Sequence, residues 1–193
     1  MNNFIKKYLS MKNLLLDKDA FSSGQISSKI WLCEHLEGLR WKSNETDIYG
    51  GWYGILAFLL LSRGKFTVNK IRSFDKDPLC QPIADSINEN WVWQDWKFKS
   101  FTEDCNTLES TADLIINTST EHFESKQWFD NIDQGTRIIL QGNNMKHDDH
   151  IIHVDNLNDF VNLYSLSSIK YQGQLDFTYP TWSFSRYMII GIK

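Results

Sequence analysis

Residues 46–61 read TDIYGGWYGILAFLLL. A short β-prone run meets Gly50 and Gly51, then Trp52, Tyr53 and Gly54, and then a long apolar run. This order limits the chain to folds in which a strand passes directly into a helix through a tight turn. Glycine adopts backbone conformations closed to other residues and lets the chain approach a neighbour closely. Aromatic rings set between the glycines offer a flat, apolar wall to whatever is approached.

The rest of the chain repeats the alternation. Apolar spacing predicts helices over 4–16, 25–37, 54–62, 78–89, 126–132 and 156–164. Ser22 or Ser23 is placed to cap the second of these, Ile26, Ile30, Cys33 and Leu36 form its stripe, and Gly38 is placed to stop it. Strands are predicted over 45–49, 67–75, 96–101, 112–116, 135–142, 169–177 and 186–193. The run at 112–116 is almost wholly apolar, as in strands buried on both faces of a parallel sheet. The last two strands have no full helix between them, so they pair antiparallel. The fold class is α/β: a three-layer sandwich with a mostly parallel seven-stranded sheet and an antiparallel C-terminal edge. Length predicts one domain over 1–193, with the N-terminal helices within 1–44 as a lid or substrate wall.

Composition excludes several classes. A net charge of −4 gives no overall nucleic-acid footprint, although residues 1–44 carry +3 and the remainder −7. That basic segment is either a guide for an anionic substrate or an ordinary solvated helix surface. Cys33, Cys80 and Cys105 are odd in number and form no C-x-x-C pair, as expected in a reducing compartment. No apolar run approaches the roughly 20 residues a membrane span needs, and no signal peptide is evident at the N-terminus. The expected location is cytoplasmic. No G-x-S-x-G elbow is present, and no Gly-Lys-Ser/Thr follows the glycine turn, which excludes a Walker-type loop.

In an open α/β sheet, ligands bind beyond the carboxyl ends of the strands. The first strand delivers Gly50, Gly51, Trp52 and Gly54. The second delivers Asp75, about twenty residues beyond Gly54, where a carboxylate accepts both hydroxyls of a ribose. Asp77, just before Pro78, is the better helix cap, which leaves Asp75 for a ligand. The third delivers Asp104, read either as the partner of a purine amine or as a turn former.

Taken together these positions resemble the class I methyltransferases that use S-adenosylmethionine. The resemblance covers about residues 26–193. It implies S-adenosylmethionine as cofactor, with Gly50, Gly51, Trp52 and Gly54 around the methionine part, Asp75 at the ribose and Asp104 at the adenine. The segment "FDKDP" is the best single match. The opening motif departs from the family pattern: Trp52 replaces its middle glycine, and Ile48 stands where an acid is usual. Asp47 is one residue out of phase, so strand alternation points it to the other face.

The fourth strand ends in "NTSTEHF", at the position that faces the transferable methyl in this fold. The Asn/Asp-Pro-Pro-Tyr/Phe motif of amino-directed nucleic-acid enzymes is absent. Glu121 and His122 are the catalytic candidates, with helix capping and surface packing as the alternative reading. Asn117, Asn143 and Asn144 are candidates for substrate contact. His147, Asp148, His150 and His153 have metal-ligand residue types but match no metal signature; a polar loop is the first reading and no metal is assigned, with a divalent-cation site, which some small-molecule O-methyltransferases of this fold use, as the alternative. The expected partner is a small-molecule acceptor rather than nucleic acid. A non-catalytic assembly module, with Trp91, Trp93 and Trp96 as its surface, is the runner-up. A nicotinamide-dependent oxidoreductase ranks last because Tyr53 breaks G-x-G-x-x-G.

Overall fold

The computed structural model describes residues 16–193. The helix expected over 4–16 lies, but for Leu16, outside them. Seven strands form one sheet: β1 (Lys42–Tyr49), β2 (Thr67–Asp75), β3 (Phe98–Thr102), β4 (Leu114–Asn117), β5 (Arg137–Asn143), β6 (Ser168–Thr178) and β7 (Ser183–Ile192). Their order is β3-β2-β1-β4-β5-β7-β6. β1 to β5 are parallel, while β7 pairs antiparallel with both β5 and β6. This is the α/β sandwich the alternation predicts.

The period of two along each strand builds two cores. Ile48, Leu114, Ile116, Ile139, Met188 and Ile190 face one side, where they join Leu32 and Leu36 of helix α1 (Ser23–Leu39) and Leu56 and Leu60 of α2 (Ile55–Arg63). Tyr49, Ile115, Ile138, Leu140, Tyr187 and Ile189 face the other. There they meet Trp128 and Phe129 of α5 (Gln127–Asp130) and Phe160 of α6 (Leu157–Leu163).

Local chemistry sets the helix ends. Ser22 caps α1 by accepting the N–H of Gln25. The helix runs through Gly38 and stops at Arg40, whose φ of 53° is left-handed, so the stop expected at Gly38 is displaced by two residues. Its buried face is Lys29, Leu32, Cys33 and Leu36, rotated from the stripe expected through Ile26 and Ile30. The helix expected over 78–89 is divided into α3 (Cys80–Ile87) and α4 (Glu89–Val92). Asn88 lies between them and donates through Nδ2 to the carbonyls of Gly54 and Ala84. β3 begins at Phe98 rather than at Trp96, because Asp95 and Trp96 turn the chain at φ of 51° and 57°. Trp91 packs edge-on against Phe58 and Lys99 sits over the Trp96 ring, while Trp93 is exposed.

Asp47 does point away from the turn. It is fully buried and accepts from Arg72 Nε and Nη2 at 2.7 and 2.8 Å, and from Ser110 Oγ at 2.5 Å. The pair joins β1 to β2. Removing Arg72 would leave a buried carboxylate with one hydroxyl partner. Arg72→Ala should destabilise the protein by about 3–5 kcal/mol, read as a lowered urea midpoint. An unchanged midpoint would show that the bidentate pair does not hold these strands.

Candidate active site

After β1 the chain turns to β2 and β3 on one side, then crosses to β4 and β5 on the other. A crevice opens at such a switch point. Here it is a cavity of about 630 Å³ at the carboxyl ends of the strands. Gly50, Trp52, Asp75, Asp104, Glu121, His122 and Asn143 all line it. The structure therefore brings together residues chosen from five separate strand ends.

The glycine turn is tight for two different reasons. Gly50, at φ 61°, lines the cavity, and its carbonyl accepts from Ser119 Oγ at 3.3 Å. Gly51 and Gly54 do not line it. A Cβ on Gly51 would stand 1.9 Å from Ser73 Oγ, and one on Gly54 2.7 Å from Asn88 Nδ2. Those two glycines serve packing inside the turn. Trp52 takes the middle-glycine position with a φ of 48°, a backbone region that disfavours side chains. Its ring leans on Tyr53 at 5.2 Å between centroids and lines the cavity without filling it.

Asp75 is not free, contrary to the expectation that a capping Asp77 releases it. Its Oδ2 accepts the N–H of Trp52 at 2.9 Å, and its Oδ1 that of Asp77 at 3.0 Å. Asp77 does act at the helix start, accepting the N–H of Leu79. Asp104 accepts from Asn106 N and Nδ2 at 2.9 and 3.0 Å, so it shapes its own turn while it lines the cavity. Each carboxylate keeps lone pairs beyond these bonds.

The side opposite is a buried polar floor. Glu121 is 3% exposed. Its Oε1 accepts from Asn143 Nδ2 and lies 3.8 Å from Arg186 Nη1. Its Oε2 has no hydrogen-bond partner among the described residues. Arg186 also donates to the Thr118 carbonyl. Asn143 Oδ1 accepts from Met145 N. Nδ1 of His122 lies 3.0 Å from the Asp149 carbonyl, and that of His150 2.7 Å from the Met145 carbonyl. Burial holds the His150 imidazole below its ordinary pKa. Asn117 and Asn144 stand outside the cavity. Asn117 Oδ1 accepts from Ser119 N, and Asn144 exchanges two bonds with the Ser185 backbone, clamping the loop after β5 to β7.

Among the described residues the cavity carries nine carboxylate side chains against two cationic ones, Lys76 and Arg186. Asp17 and Asp19, ahead of α1, are among the nine. The lining thus favours a cationic ligand over an anionic one. The thiols of Cys33, Cys80 and Cys105 are pushed up to about 12 by burial, so they are protonated and poor nucleophiles. Among the described residues no helix is long and apolar enough to cross a membrane.

Sequence reasoning missed Arg186, Trp182 and Lys29. Arg186 had a signal: it opens the otherwise apolar run at 187–190. Lys29 had one too, since it shares the helical stripe of Leu32 and Leu36.

No family model matches the chain, and no curated protein does. Solved structures do match over nearly the whole length. The N-methyltransferase NodS from Bradyrhizobium japonicum WM9, in complex with S-adenosyl-L-homocysteine, superposes with a TM-score of 0.68 at 11% identity, over 95% of this chain and 97% of NodS. Magnesium protoporphyrin IX methyltransferase (ChlM) from Synechocystis PCC 6803, with bound SAM, gives 0.63 at 12% identity, over 96% and 90%. A putative RNA methyltransferase from Pyrococcus horikoshii gives 0.55 at 14%, over 86% and 84%. The chain has the Rossmann-like fold of the class I methyltransferases.

Lys29 is buried beneath this floor, and its Nζ donates to Gln25 Oε1 at 2.7 Å. Desolvation first, and then the charge of Arg186, lower its pKa from 10.5 to about 7. A base depressed in the folded state weakens folding most below its folded pKa, and the cost fades as pH rises towards the unfolded value. Lys29→Met should therefore melt higher than wild type at pH 6, by roughly 2–4 °C for each kcal/mol relieved. The gap should close between pH 7 and 10.5. A gap that does not change over this range would contradict the assignment.

Proposed function

We propose that the protein is an S-adenosylmethionine-dependent methyltransferase acting on a small-molecule acceptor. The observation that carries this reading is the convergence of the turns after β1, β2 and β3 on one cavity, with Gly50, Asp75 and Asp104 in its wall. NodS and ChlM, which share the fold, hold the cofactor or its demethylated product. The acid-rich lining suits a ligand that carries a sulfonium and an ammonium.

In this reading Gly50 gives the methionine part a close backbone approach, and the Trp52 ring walls the apolar arm beside it. The remaining lone pairs of Asp75 take the ribose hydroxyls, and Asp104 takes the adenine amine. Glu121, His122 and Asn143 then form the acceptor wall. Asp17, Asp19 and Gln25, near α1, close the cavity from the N-terminal side. Bound there, S-adenosylmethionine would supply an electrophilic methyl group, and these residues would contribute mainly by aligning the acceptor with it.

Calorimetry with S-adenosylmethionine tests the proposal. Wild type should bind one equivalent. Asp75→Ala should weaken binding by about 1–3 kcal/mol, or roughly five- to 150-fold in Kd. Folded wild type that gives no heat with either S-adenosylmethionine or S-adenosylhomocysteine would sink the reading.

A further inference from the structure

Two imidazoles and a carboxylate meet on the acceptor side of the cavity. Glu121, His122 and His150 each present one ligand atom, and the three atoms lie within 4.8 Å of one another. We propose that these residues bind a divalent first-row transition ion.

The placement of His150 is built by the backbone. The N–H groups of Ile151 and Ile152 both donate to the Glu121 carbonyl, at 2.8 and 3.1 Å. The loop after β5 is thereby fastened to the turn after β4, with His150 beside Glu121 and His122. The two imidazole rings stand edge to face, 4.9 Å apart.

The tautomers are set as well. A carbonyl only accepts, so the Nδ1 of each ring, bonded to Asp149 O or Met145 O, carries the proton. In the neutral ring Nε2 then has a bare lone pair. A metal-ligating histidine almost always has its other nitrogen bonded to a carbonyl or carboxylate in this way.

Glu121 supplies the third ligand. Oε1 is occupied by Asn143, with Arg186 on the same side. Oε2 is buried and has no partner among the described residues. Such an oxygen is costly to leave bare, and an ion satisfies it. Two nitrogens and one oxygen suit zinc, cobalt, iron or manganese better than calcium or magnesium, which take oxygen ligands. Ligands around a tetrahedral ion stand roughly 3.3 Å apart, given metal–ligand distances of about 2.0–2.1 Å. From a spread of up to 4.8 Å the three atoms would draw together by up to about 1.5 Å, and of the three residues His122 is exposed. Three protein ligands leave the fourth position open to the acceptor. The site itself stands without the methyltransferase reading; only its catalytic meaning rests on that reading.

The test uses chelator-treated full-length protein titrated with Co²⁺, followed by visible absorption and calorimetry, with S-adenosylmethionine titrated in parallel. Wild type should take one equivalent of Co²⁺ and develop ligand-field bands. His122→Ala and His150→Ala should each weaken binding by about tenfold or more. Glu121→Gln should do the same, and because Glu121 is buried, the exposed His122 keeps the test valid if that variant misfolds. Folded wild type without Co²⁺ binding, or affinity unchanged in both histidine variants, overturns the site. Cofactor binding without Co²⁺ binding defeats this proposal alone. Co²⁺ binding without cofactor affinity upholds the site and defeats the methyltransferase reading.

Discussion

The Asp75 carboxylate is the constraint from which the cavity takes its shape. One oxygen holds the N–H of Trp52 and the other that of Asp77, so the turns after β1 and β2 are tied to one carboxylate. The cost it offsets is local. Trp52 sits at a left-handed φ, which for a residue with a side chain is disfavoured by about 1–2 kcal/mol. A hydrogen bond to an ionised acceptor is stronger than a neutral one, and the Tyr53 ring supports the indole from beside. A bulky residue thus persists where the fold usually has glycine, and the cavity next to it stays open.

Charge sets the character of that cavity. Among the described residues carboxylates outnumber cations around it, and the buried Arg186 and Lys29 lie near Glu121. On the methyltransferase reading this asymmetry has a use. The incoming cofactor carries a positive sulfonium that the acidic wall attracts, and the outgoing thioether lacks it. On that reading the same wall would hold the cofactor more firmly than its thioether product.

The parallel sheet was legible because strands buried on both faces must be apolar throughout, as at 114–116 and 138–140. The convergence of Gly50, Asp75, Asp104, Glu121 and His122 on one cavity was legible because they follow strand ends, where an open sheet forms its crevice. Gly51 and Gly54 read in sequence as ligand positions, and in the structure a Cβ at either would also meet Ser73 or Asn88. A glycine needed for internal packing looks the same in sequence as one needed for a ligand's approach. Asn144 was read as a substrate contact for its position, but its partner, Ser185, is 41 residues away. The contacts of Arg186 are as remote in the chain: Thr118 is 68 residues away, and no local pattern encodes the pairing.

The strand order has a consequence for how the protein is made. β7 lies between β5 and β6, although it follows both in the chain. Until residues 183–192 leave the ribosome, β6 has no neighbour to pair with, and β5 presents Ile138, Ile139 and Leu140 on an open edge. Unpaired apolar edges invite association with other chains. Glu121 also waits for Arg186 through this interval. β7 thus both covers the β5 edge and brings Arg186 to Glu121.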